Sequence, residues 1–108
     1  MLDGSAALAW CFDSESTPAI EALMFRVAER GAIVPSLWRL EVANGLLVGV
    51  RRGRLTAARR DEVLATLLEM EIAIDDETDR FAWSGTVRLA EAHGLTAYDA
   101  AYLELAQR

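Results

Sequence analysis

The sequence contains no lysine: all 11 of its basic residues are arginines. A Walker A phosphate loop needs a lysine at a set position, and so does a phosphoacceptor receiver domain that relies on an essential lysine. Two common readings of an α/β chain with acidic strand ends are therefore excluded. A single cysteine, Cys11, rules out an intrachain disulfide, and its apolar neighbours favour a buried structural thiol. The single histidine, His93, precedes Gly94 and fits the last turn of a helix, where a donor suits the exposed carbonyls. One Cys and one His argue against both a structural zinc site and a Cys/His dyad. No stretch approaches the roughly 18 to 20 apolar residues that span a bilayer, and the N-terminus lacks the basic start of a signal peptide. No membrane association and a cytoplasmic location are the expectation. There is no repeat, linker or low-complexity segment.

The 108 residues suit one domain with a single core. Leu2-Asp3 reads as a very short strand that runs into Gly4-Ser5 and a compact helix, and Asp13 to Thr17 as a polar break. Thr17-Pro18 caps the next helix, whose Ile20, Leu23, Met24 and Val27 recur at helical spacing up to Gly31. Ala32 to Val34 reads as a short buried strand ended by Pro35. The stretch from about Leu37 to Arg52 is apolar nearly all round, which predicts a helix buried on more than one side. Thr56 caps a helix with Val63, Leu64, Leu67 and Leu68 on a narrow face, and Ile72 to Ile74 reads as a strand. Asp75 and Asp76 then stand at a strand end, as helix-start residues. One helix is expected from there through Phe81, Trp83 and Val87 to the His93-Gly94 stop, and a last one from Thr96 onward. Trp10, Trp38, Trp83, Tyr98 and Tyr102 sit among apolar neighbours and read as core.

Three carboxylates stand out against this frame. Asp3 lies at the end of the first strand, Glu41 about a turn into the apolar helix, and Asp99 in the first turn of the last helix. Asp99 has a structural explanation, since it stands three residues after Thr96 as in a capping box. It becomes catalytic only if other carboxylates converge on it. In an open parallel sheet the strands end, and the following helices begin, on the edge where ligands bind, so the three are expected to share one crevice. Glu41 falls on a stripe with Asn44, Gly45, Val48 and Gly49; a buried carboxylate there needs a cation, a donor or solvent. Arg39 is on a different face, so a metal or an arginine from elsewhere is expected to compensate it. Glu104, five residues after Asp99, points away. Arg51, Arg52, Arg54, Arg59 and Arg60 form the one basic cluster in a chain of net charge −6. It reads either as a solvated patch or as a phosphate-contacting track.

Leu2 to Trp10, Leu40-Glu41-Val42-Ala43-Asn44 and Leu95 to Leu103 resemble, in order, three signature blocks of PIN-domain nucleases of the kind found as VapC-type toxins in bacterial toxin–antitoxin pairs. The resemblance implies an α/β PIN-like sandwich with a small central parallel sheet flanked by helices. It also implies a metal-dependent endoribonuclease that cleaves RNA with metal-activated water, a VapB-like antitoxin as partner, and a homodimer. Asp3, Glu41 and Asp99 are the implied catalytic and metal-binding residues. Ser5, Asn44 and Thr96 are the supporting or substrate-orienting candidates, and Arg51, Arg52 and Arg54 the RNA or partner contacts. Like charges in one crevice call for a cation, and hard carboxylate oxygens select Mg²⁺ or Mn²⁺. The family's usual further strand, which carries a fourth acidic residue, has no counterpart before Arg108, so the expected domain, 1–108, is C-terminally shortened. That departure supports an alternative: a non-catalytic PIN-like module that engages an antitoxin or its own copy.

Overall fold

Two short parallel strands, β1 (Ala32–Val34) and β2 (Ile72–Ile74), pair in register in a computed structural model that describes residues 2–12 and 15–108. Parallel strands need a long crossover, and here α3 (Trp38–Arg51) and α4 (Ala57–Glu69) supply it. Before β1 come α1 (Gly4–Cys11) and α2 (Pro18–Arg30); after β2 come α5 (Thr78–Ala82), α6 (Gly85–His93) and α7 (Ala97–Gln107). The expected polar break is described only from Glu15 onward, since Asp13 and Ser14 lie outside the described residues. Three threonines start helices as their positions predict: Thr17 Oγ1 accepts from the Ile20 amide, Thr56 from Arg59 and Thr96 from Asp99, at 3.0 to 3.2 Å.

The core gathers Val34 of β1, Leu46 of α3 and Val63 of α4, with Met24 of α2 and Tyr102 of α7 packed into the same cluster. Along α3 the buried stripe is Trp38, Val42, Leu46 and Gly49. α1 comes very close to it: a Cβ built on Gly45 would stand 2.3 Å from a Leu8 methyl, so only glycine admits this approach.

Several expectations are corrected. Leu2 and Asp3 form no strand, so the sheet has two strands among the described residues; Leu2 enters the core and Asp3 becomes the cap of α1. β1 is not buried throughout, because Val34 turns inward and Ile33 outward, with Ile33 57% exposed. α3 is not buried all round either: Leu40 is 75% exposed. The single helix expected over residues 78–93 breaks at Trp83 and Ser84, where the Ser84-Gly85 step interrupts it and leaves Trp83 96% exposed. Tyr98 is likewise exposed, so neither of these aromatics belongs to the core. No helix is long and apolar enough, among the described residues, to cross a membrane.

Candidate active site

Each of the three carboxylates stands at the start of a helix. Asp3 is the N-cap of α1 and its Oδ1 accepts from the Ala6 amide at 2.7 Å. Glu41 lies in the first turn of α3, and Asp99 in the first turn of α7. The positive ends of three helix dipoles therefore face negative charge at these positions.

Tyr102 engages one of them directly. Its hydroxyl donates a short hydrogen bond to Glu41 Oε1, linking α7 to α3 across 61 residues of sequence. Gly4 packs against the same carboxylate, with a Cβ there falling 3.1 Å from Glu41 Oε1. Burial, then the hydrogen bond and charge of Glu41, and more weakly the charge of Asp3, push the Tyr102 phenol well above its ordinary pKa; the Gly4 amide partly offsets this. The phenol thus stays protonated and serves as a donor. A tyrosine donates to Glu41, and no arginine pairs with it among the described residues. Tyr102 read from sequence as core; the available signal was its position three residues after Asp99, on the same face of one helix.

Asp99 stands one turn ahead of Tyr102 and is exposed. Only half of its capping box forms: Thr96 Oγ1 accepts from the Asp99 amide, while the Asp99 carboxylate takes part in no hydrogen bond or ion pair among the described residues. Capping therefore employs its backbone and leaves its charge unused.

No protein-family model matches the chain. Over all 108 of its residues, however, it is 31% identical to Ribonuclease VapC3 of Pyrobaculum aerophilum, covering 81% of that protein's length. The chain belongs to the VapC-type PIN ribonuclease family.

For a VapC-type chain the implied group is a divalent metal, and the donor set can be tested for it. No three Asp, Glu, His or Cys side chains among the described residues gather as a metal cage. Glu41 lies against Gly4, the residue after Asp3, and against Tyr102, with Asp99 one turn ahead of Tyr102 on α7. Mg²⁺ is ordinarily held by one or two carboxylates with water and substrate phosphate, so a pair suffices in kind. None of the ion pairs among the described residues involves Asp3, Glu41 or Asp99, so their charge is uncompensated by any arginine. Hard, unpaired oxygen donors fit such a cation.

The remaining candidates of this VapC-type chain divide by position. Ser5 and Asn44 are exposed, Ser5 two residues after Asp3 and Asn44 one turn after Glu41. Thr96 is occupied as a cap. Arg51 closes the last turn of α3 and Arg52 caps it, while Arg54 pairs with Glu15 at 3.1 Å and lies 4.6 Å from the Phe12 ring centroid. Glu104 is turned away from Asp99, as its spacing predicts, and is buried against Arg108. Asp75 is also buried and accepts from Arg108, a tertiary role beyond the expected helix start.

Proposed function

We propose that the chain is a metal-dependent endoribonuclease, the toxin of a VapBC-type toxin–antitoxin pair, acting in the cytoplasm as a homodimer with a VapB-like antitoxin as its partner. The observation that carries this reading is Glu41, held by Tyr102 and packed on Gly4 beside Asp3, with no arginine paired to either acid among the described residues, in a chain related to a ribonuclease. Asp3 and Glu41, with Asp99 one turn from Tyr102, would hold one Mg²⁺ or Mn²⁺. When bound, such an ion polarises the scissile phosphate and lowers the pKa of water.

The chain's own residues prepare the rest. Asp3 keeps one oxygen on the Ala6 amide and so presents the other in a fixed direction. Tyr102 holds Glu41 Oε1 and leaves Oε2 for a ligand. Asp99, its amide held by Thr96 and its carboxylate unengaged, can take a ligand without disturbing the helix start. Ser5 and Asn44, both exposed, would orient the substrate.

The test is EDTA-sensitive RNA cleavage by wild type and Asp99→Asn side by side. Asn keeps the shape and the Thr96 cap, so the fold should persist. Cleavage should fall by more than the ~10–100-fold that loss of a supporting group costs. Equal cleavage by both proteins would refute the role of Asp99. One observation favours a second reading, a non-catalytic module that binds an antitoxin or its own copy: no three acids form a cage among the described residues. Mn²⁺ titration separates the two, because a binding-only module has no reason to lose Mn²⁺ affinity when Asp3, Glu41 or Asp99 is neutralised.

A further inference from the structure

Gly4 faces Glu41, Leu8 faces Gly45 and Phe12 faces Gly49, so α1 and α3 run parallel and both begin at the carboxylates. Along this seam lies a groove of about 630 Å³, lined by Ser5, Leu8 and Phe12 on one side and Gly45 on the other, and ending at Arg52 and Arg54. Glu41 and Arg52 are 11 residues apart along the helix, about 16 Å at ~1.5 Å per residue. The groove thus begins at Ser5, two residues after Asp3, and at Gly45, one turn after Glu41, and carries guanidinium groups at its foot.

Resting on the reading that this chain cuts RNA, we propose that the groove is the track of single-stranded RNA, with backbone phosphates on Arg52 and Arg54 and the scissile bond at Asp3 and Glu41. Charge argues for it. A phosphodiester is repelled by bare carboxylates, so attraction must come from elsewhere, and the two arginines at the foot supply it in a chain that is acidic overall. Shape agrees: two helices in direct contact leave room for one strand between their flanks. The Arg54 guanidinium lies over Phe12, 4.6 Å from the ring centroid, and presents its outer face as a plane on which a base can stack. Glu15, paired with Arg54 at 3.1 Å, competes with phosphate for the same cation.

The experiment is fluorescence anisotropy of a labelled oligouridylate with the full chain in EDTA, where metal-dependent cleavage is off. Replacing Arg52 and Arg54 together by Gln should weaken binding by about 10-fold and lower the slope of log affinity against log salt by about 1.4, near 0.7 for each lost phosphate contact. Glu15→Gln should tighten binding about twofold to threefold, because one repulsive charge goes and Arg54 is released. Arg88→Gln, on α6 and outside the groove, changes net charge equally per residue and should leave both affinity and slope nearly unchanged.

Equal weakening by Arg88→Gln, no binding by wild type, or equal competition by polyglutamate would each overturn the track. A wild type that cuts RNA but is indifferent to Arg52 and Arg54 overturns the track and leaves the nuclease reading standing. A wild type that binds through these arginines and never cuts supports the track and overturns the nuclease reading.

Discussion

Tyr102 donates to Glu41 Oε1 from a position one helical turn beyond Asp99, so a single phenol ties the helix of one acidic residue to the carboxylate of another. Tyr102→Phe keeps the ring in the core and removes only this donor. Glu41 is half-buried and retains some access to water, so stability should fall by about 1–2 kcal/mol in urea unfolding. Mn²⁺ affinity should fall by ~10-fold or more, because the carboxylate is no longer oriented. In a Glu41→Gln background the same substitution should add little to the loss of affinity. Unchanged affinity with lowered stability would reduce Tyr102 to a packing residue.

Gly45→Ala should separate α1 from α3. The added methyl meets both Leu8 methyls, at 2.3 and 2.6 Å, and the Leu8 Cγ at 3.0 Å, so no single rotation of Leu8 clears it. Overpacking of this kind costs ~1–3 kcal/mol, against a gain of about 1 kcal/mol in helix propensity, leaving a net loss of about 1 kcal/mol. A rise in the urea midpoint would show that α1 yields easily.

The Arg108 guanidinium joins two buried carboxylates, Glu104 at 2.7 Å and Asp75 at 3.1 Å, and stands 5.0 Å from the Phe81 ring centroid. Its hydrogen bond to Asp75 outweighs burial and holds that carboxyl below its ordinary value. A depressed folded pKa contributes stability above the unfolded value, near 3.9, and loses it as pH falls through the folded one. Arg108→Gln should therefore lower the urea midpoint at neutral pH and flatten the decline of stability below about pH 4. Parallel acid limbs for wild type and variant would contradict this.

Burial pushes the Cys11 thiol up to about 11, with Arg59 opposing weakly, and the Sγ donates to the Ala7 carbonyl at 3.0 Å. At pH 8 roughly one thiol in 1,000 is thiolate, and that fraction is shielded. Alkylation by iodoacetamide should be slow in the native protein and become fast on addition of denaturant. Rapid native labelling would mean that α1 opens readily.

What could be read in advance was local. Thr17, Thr56 and Thr96 announced three helices because a hydroxyl three residues ahead of an amide needs only its own segment to act. Glu41 and Asp99 were legible as helix-start residues, whereas Asp3 read as a strand end and is the cap of α1. Tyr102 was not, since its partner is 61 residues away and a tyrosine among alanines and leucines reads as packing. Arg108 with Asp75 is the same case at 33 residues. The exposed Trp83 follows from a break at Ser84-Gly85 that an apolar periodicity runs straight across. The outward Ile33 follows from a strand that is covered on one face only, which its three apolar residues cannot announce.

The pairing of Glu41 with Tyr102 also sets an order of events on the ribosome. Chains emerge N-terminus first and fold as their contacts become available, so Asp3 and Glu41 are exposed to the cell well before Tyr102 exists to bind the latter. A nascent chain that has not yet reached Thr96 carries two of the three acids and no phenol to orient either. The orientation of Glu41 therefore waits on the emergence of α7.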